Sequence, residues 1–240
     1  MSIWFGQQLN DCIRNAHLPE DCFLCGAKCK RRTLCEACRG RLPRLPLLAC
    51  PQCALPTLDG NHCGRCLKSP PFYETTAAPL DYRFPTDRLI LGFKYGRNLA
   101  LLPILTECLI ERLADTLAVD TVVPMPLSPG RLRERGFNQA LEIAKHLCEA
   151  LGLGLKAETC RKIRDSWPQA ALPWGERPRN VRGAFVCDFD LSGQSVAIVD
   201  DVMTSGATMN ELARVLRKAG ASHVSAWAVA RAVPETLRSR

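Results

Sequence analysis

The stretch VAIVDDVMTSGATM, residues 196–209, passes from an apolar, β-branched run into two adjacent acids and then into a loop of small and hydroxyl-bearing residues. The run reads as a buried strand that ends at Asp200 and Asp201, with Thr208 opening a helix. Between them, the backbone N–H groups of Thr204, Ser205, Gly206 and Ala207 and the hydroxyls of Thr204, Ser205 and Thr208 converge as an anion cradle at a helix N-terminus. Gly206 lets the backbone come close to that anion. The paired acids need a ligand beside the anion but distinct from it. Two hydroxyls on adjacent ribose carbons supply one donor to each carboxylate, and a magnesium ion offsets the repulsion between the acids.

A ribose 5-phosphate fits both halves, and here the residues match a known pattern. VAIVDDVMTSGAT resembles the phosphoribosyl pyrophosphate (PRPP) loop of type I phosphoribosyltransferases. Outward from it, TVVPMP (121–126), SVAIVD (195–200) and HVSAWAVA (223–230) read as strands, with helices expected from about Asn138 to Leu151 and from about Thr208 to Ala219. Strands without clean alternation, spaced by helices, imply a parallel sheet covered on both faces. The expected fold is therefore an α/β domain of phosphoribosyltransferase type, with its site at the carboxyl ends of the strands.

A sugar pyrophosphate also needs a place for its leaving group. VVPMPLSPGRLRERGFNQA (122–140) follows another strand and supplies Arg131, Arg133 and Arg135, whose guanidinium groups grip phosphate oxygens bidentately. Pro124 and Pro126 stiffen the loop after that strand. Lys94 and Arg97 lie upstream in GFKYGRNLALLP (92–103). The Pro-rich stretch DSWPQAALPWGERPRNVRGAF (165–185) carries Gln169, Arg177, Asn180 and Arg182 between the two phosphate loops, where a lid is expected. Trp167 and Trp174 read equally as lid side chains or as plain anchors to the core.

The N-terminal part differs in composition. Ten of the fourteen cysteines precede residue 67. Cys22, Cys25, Cys35 and Cys38 form one pair of C-x2-C knuckles, and Cys50, Cys53, Cys63 and Cys66 form a second. Each set can bring four thiolates to tetrahedral positions roughly 2.3 Å from one zinc ion, so two structural Zn2+ are expected. A closed four-thiolate site scaffolds rather than catalyses, and zinc supplies the stability that a segment with so few large apolar groups lacks. Gly26 and Gly64 suit knuckle turns of positive φ. Cys29 and His62 are spare ligands, expected to stay outside the sets.

The chain thus divides into a leader, 1–20, with a short amphipathic helix expected over Ile3 to His17; a double zinc ribbon, 21–67; a connector, 68–79; and the α/β domain, 80–240. The formal charge of +8 would fall to about +4 with two four-thiolate zinc sites. The basic run Lys28, Lys30, Arg31 and Arg32 reads first as a solvated face. An aromatic share of 6% supplies few stacking platforms for nucleic acid. No export signal and no apolar run of membrane-spanning length is seen, so the expected compartment is the cytoplasm, and reduced cysteines follow from it.

Order and spacing of the two four-cysteine sets, Lys94 with Tyr95, VPMPL, RERGFNQA, RPRNVRGAF and the PRPP loop resemble the ComF family of double zinc ribbon, phosphoribosyltransferase-like competence proteins, from about residue 22 to 231. The resemblance implies ribose and metal contacts for Asp200 and Asp201, 5-phosphate contacts for Thr204 to Thr208, and pyrophosphate contacts for Lys94 and the arginines at 131, 133 and 135. It implies PRPP with Mg2+ as ligand and an association with competence and the handling of incoming DNA on the cytoplasmic side. Three function classes stay open at this point: a pentosyl-transferring enzyme, a nucleotide or PRPP sensor, and an adaptor for single-stranded DNA and DNA-uptake proteins.

Overall fold

The computed structural model describes residues 20–29, 33–114, 119–164 and 181–238. The leader helix expected over 3–17, the basic residues Lys30, Arg31 and Arg32, and the lid residues Trp167, Gln169, Trp174, Arg177 and Asn180 lie outside them. The chain forms two compact units, Met1–Leu42 and Pro43–Arg240.

The first unit is built around its cysteines. Strands β1 (Glu20–Asp21) and β2 (Lys28–Cys29) pair antiparallel. Helix α1 (Glu36–Gly40) starts directly after Cys35. The first knuckle closes through Gly26 N–H to the Cys22 carbonyl at 2.8 Å, with Gly26 at φ +71.

The second unit contains both the second cysteine set and the sheet. At the position equivalent to Gly26 stands Ala54, at φ +55, its N–H bonded to the Cys50 carbonyl at 2.8 Å. Gly64 does not turn a knuckle with positive φ as expected. It opens helix α2 (Gly64–Lys68), and the helical φ of that position is open to any residue.

The segment read as a connector contributes β3 (Thr75–Ala77), and β4 (Leu80–Asp81) follows at once. Next come α3 (Thr86–Lys94), α4 (Leu102–Leu113), β5 (Thr121–Pro124), α5 (Pro129–Arg135), α6 (Gln139–Leu151) and β6 (Gly154–Leu155). A small antiparallel pair, β7 (Cys160–Lys162) and β8 (Phe185–Cys187), precedes the long strand β9 (Ser195–Met203). Helix α7 (Ala207–Lys218) and strand β10 (His223–Arg231) complete the sheet.

The strand order is β3-β10-β9-β5-β6, with β4 also on β10, and every pairing is parallel. Val196, Ile198, Val224, Ala226 and Ala228 pack with Leu212, Val215 and Leu216 of α7. The alternating set, Ala197, Val199, Trp227 and Val229, is equally buried, so both faces are covered. Helices α4 and α6 are joined by Thr106 Oγ1 and His146 Nδ1, 2.9 Å apart.

Two features of this topology make the site. From β5 the chain moves outward to β6, then returns to place β9 on the other side of β5. The crevice at the carboxyl ends of β5 and β9 is therefore a topological switch point. In addition, β5 stops pairing at Pro124, opposite Val199. Pro124 and Pro126 have no N–H to extend the ladder. Strand β9 consequently runs on past Asp200 and Asp201 to Met203 with β10 as its only partner among the described residues. The sequence reading ended this strand at the acids. The tertiary pairing with β10 carries it further and leaves the acids on an edge that β5 has vacated.

Candidate functional site

A cleft of about 390 Å³ opens at this switch point, walled by the end of α3, by α5 and by the β9–α7 loop. Asp201 is buried on its floor. Lys94 Nζ, the last residue of α3, reaches Asp201 Oδ1 at 2.9 Å. Asp200 Oδ1 accepts the Asp201 backbone N–H at 2.8 Å. Burial, then the neighbouring Asp201 carboxylate, push the Asp200 carboxyl up to about 7, with Lys94 opposing them. Burial acts to discharge Lys94, but the Asp201 carboxylate, with its hydrogen bond, and Asp200 hold the ammonium above its ordinary value. Two adjacent acids are thus tolerated because Lys94 pairs with one of them and burial favours the protonated form of the other.

The loop after β9 leads directly into helix α7. Gly206 stands at φ +82 as the N-cap of α7 and has no side chain of its own to cap that helix. A Cβ on Gly206 would fall 2.8 Å from Tyr73 Oη and 3.0 Å from Met203 Cε, so glycine is required for space as well as for φ. Thr204, Gly206 and Thr208 line the cleft. Ser205 instead turns its Oγ to accept the Ala207 N–H at 3.3 Å.

The arginine segment is a helix rather than a loop. Ser128 Oγ accepts the Arg131 N–H at 3.5 Å as N-cap, and Pro129 occupies the first turn. On a helix, residues four apart share a face and residues two apart do not. Arg131 and Arg135 accordingly line the cleft, whereas Arg133 is exposed and is not among the lining residues. The Ser-Pro pair at 128–129 was the signal for this helix. Arg135 Nη1 donates to Gln139 Oε1 at 2.8 Å, its guanidinium lies 5.4 Å from the centre of the Tyr95 ring, and its buried Nε has no partner among the described residues. A buried, unpartnered guanidinium N–H at the edge of a cleft is a donor prepared for an anion.

Other residues at the site carried no role in the sequence reading. Asn138 caps α6 through Oδ1, accepting from Ala140 N at 3.0 Å, and its Nδ2 donates to the Met125 carbonyl at 3.1 Å. Asn138 thereby ties the start of α6 to the end of β5. Tyr82 and Lys162 also line the cleft. Of the lid stretch, Arg182 is exposed, and the Gly183 N–H is held by Glu211 Oε1 at 2.7 Å.

The two cysteine sets fit zinc. Within each, the four sulfurs lie within 4.8 Å of one another. Cys25 and Cys35 Sγ are 3.7 Å apart, and Cys53 and Cys63 Sγ are 3.6 Å apart. Four thiolates at roughly 2.3 Å around one zinc ion stand about 3.8 Å apart. Cys29 lies outside its set, its thiol on the Ala27 carbonyl at 3.4 Å, and His62 belongs to neither cluster. The second set is the more enclosed, with Cys50, Cys53 and Cys66 buried among Leu55 and Val233. No helix among the described residues is long and apolar enough to cross a membrane.

An all-parallel sheet with an acidic strand end, a glycine-turned loop entering a helix at the switch point and two four-cysteine sets defines a phosphoribosyltransferase-type fold combined with a double zinc ribbon. The comparisons agree. Residues 13–67 match the double zinc ribbon domain family, and residues 187–239 match the phosphoribosyl transferase domain family. The chain is 33% identical to the DNA utilization protein YhgH of Salmonella typhimurium, over 89% of this chain and 98% of that protein. It is 30% identical to Competence protein F of Haemophilus influenzae, over 83% of this chain and 90% of that protein. The chain belongs to the ComF family. Among solved structures, a purine phosphoribosyltransferase from Pyrococcus horikoshii Ot3 matches 54% of this chain and 81% of its own, at 18% identity and a TM-score of 0.36.

Proposed function

We propose that the cleft binds PRPP or a closely related ribose 5-phosphate together with Mg2+, and that the chain serves in the use of incoming DNA on the cytoplasmic side. The observation that supports this most directly is the position of Asp200 and Asp201 on the part of β9 that β5 leaves unpaired among the described residues, beside a helix N-terminus whose N-cap is Gly206, at the switch point. In this reading the N–H groups and hydroxyls of residues 204–208 take the 5-phosphate. Asp200 and Asp201 take the ribose hydroxyls and hold Mg2+, which offsets charge on the pyrophosphate. Arg131 and Arg135 take the pyrophosphate, and Arg133 takes no part. Lys94, bound to Asp201 at 2.9 Å, lines the same cleft, and with Mg2+ held by the acids its ammonium would be free to take the pyrophosphate. The names of the relatives, a DNA utilization protein and a competence protein, support the wider role.

Calorimetric titration of Mg2+ and PRPP into wild type and Asp200→Asn, with zinc counted in the same samples, tests the reading. Magnesium-dependent binding by wild type, its loss in the variant, and about two zinc ions per chain are expected. Equal binding by both proteins would overturn it. Release of pyrophosphate on adding ammonia or a panel of nitrogen bases separates an enzyme from a sensor, and salt-sensitive binding of single-stranded DNA by a chain indifferent to PRPP would point to the adaptor instead.

A further inference from the structure

Arg231 closes β10 and is 0% exposed. No carboxylate pairs with it among the described residues. Its partners are backbone carbonyls: Nε donates to Cys53 O at 2.8 Å, and Nη1 donates to Met203 O at 2.9 Å, to Thr204 O and to Ala232 O at 3.0 Å. Nη2 has no partner. A buried guanidinium without a counter-charge is strongly unfavourable. The nearby group able to supply negative charge is the second cysteine set, to which Cys53 belongs. Four thiolates around one Zn2+ carry a net charge of about −2.

The same guanidinium grips the first two residues of the phosphate loop. Carbonyls of Met203 and Thr204 turned towards Arg231 leave the following N–H groups pointing the other way, as a cradle needs. Arg65, on α2 between ligands Cys63 and Cys66, donates from Nη1 to the Ser205 carbonyl at 3.4 Å. Tyr73 sits against Gly206, and its own carbonyl accepts from Gln52 Nε2 of the second knuckle at 3.2 Å. Residues 203 to 206 are therefore each backed by a residue of the second metal knuckle or by one bonded to it.

We infer that the second metal site positions the phosphate loop, with Arg231 and Arg65 as the connecting residues, so that losing this metal disables the anion cradle while losing the first does not. The ligand part of the inference rests on the reading of the cleft as a ribose-phosphate site. The structural part does not.

The test compares full-length Cys63→Ser, Cys25→Ser and Arg65→Gln, each with zinc counted, by amide hydrogen exchange without ligand and by PRPP binding with Mg2+. Cys63→Ser is expected to raise exchange across 203–208 and weaken PRPP binding, each about tenfold, with the β5 amides still protected. Cys25→Ser is expected to change neither. Arg65 is exposed, so Arg65→Gln keeps the fold and is expected to loosen the loop about threefold. Wild-type loop exchange in Cys63→Ser, or equal effects from the two cysteine variants, overturns the inference. Should Cys63→Ser lose protection throughout the sheet, Arg65→Gln and Arg231→Lys decide, and wild-type loop exchange in both overturns it. If wild type itself fails to bind PRPP, the ligand reading falls while the exchange comparison still judges the coupling.

Discussion

The two four-cysteine sets share one spacing and differ in surroundings. In the first, Cys22 is buried, Cys25 is exposed and Cys35 and Cys38 are half-buried, and the described residues around them form two-residue strands and one short helix. In the second, Cys50 and Cys53 are at most 1% exposed, and a carbonyl of the set anchors a fully buried arginine at the end of the central sheet. One motif thus stands in two settings, a small unit with most of its cysteines partly open and a buried knuckle bonded through Arg231 to the loop after β9. Spacing reveals the metal geometry, and only packing reveals what the metal supports.

Removing a ligand from each set should break the symmetry most clearly. Cys53→Ala is expected to destabilise the sheet unit by about 3–5 kcal/mol, because it leaves Arg231 buried opposite an incomplete charge. Cys22→Ala is expected to melt the first unit while leaving the sheet transition where it was. Calorimetric unfolding with zinc counts checks both, and matching shifts of the sheet transition would abolish the distinction.

The loop after β9 offers the next effect. Gly206→Ala must adopt φ +82 and place its Cβ against Tyr73 Oη, so a loss of about 2–3 kcal/mol and of anion binding is expected. Gly193→Ala, at φ +76 with open space around it, is expected to cost about 1 kcal/mol and to leave binding alone. Thermal unfolding and phosphate titration of the pair separate site strain from ordinary backbone strain.

Asp200 carries a pH signature. Its folded pKa, about 7, lies above the ordinary carboxylate value, so between about pH 4 and 7 the folded protein holds a proton that the unfolded chain has released. Its contribution is therefore lost as pH rises through 7, by about 1–2 kcal/mol once the open cleft is allowed for. Asp200→Asn lacks this dependence, so the ligand-free variant should be the more stable protein at pH 8 while binding no PRPP. Denaturant unfolding at pH 5 and pH 8 checks the sign. Mg2+ binding to wild type should weaken below pH 7, where the proton competes for the acid.

The smallest effect lies at the knuckle turns. Ala54 holds φ +55 where the first set has glycine. Ala54→Gly is expected to stabilise by about 0.5 kcal/mol, and Gly26→Ala to destabilise by about 1 kcal/mol. Equal responses at both turns would show that the knuckles do not share their geometry.

Much of the site was legible because its chemistry is local. A strand, two acids, small hydroxyl residues and a helix occupy 196–209 in one run, and the cysteine spacing states its own geometry. What escaped the sequence depended on contacts distant along the chain. The continuation of β9 to Met203 rests on β10, and β3 emerges from an apparent connector only because β10 offers an edge. Arg133 looked equivalent to Arg131 and Arg135 until Ser128 and Pro129 were seen to start a helix, which turns alternate residues apart. Arg231 gave no local sign beyond a lone charge ending an apolar strand, since its partners lie at Cys53 and Met203.

Amide exchange of the wild-type chain with and without PRPP and Mg2+ bears most directly on the central claim, that the β9–α7 loop and α5 together hold a ribose phosphate. Slower exchange confined to residues 204–208 and 131–136, lost when Mg2+ is withheld, is the expected result; no change there, or protection appearing only in the first cysteine unit, would contradict it.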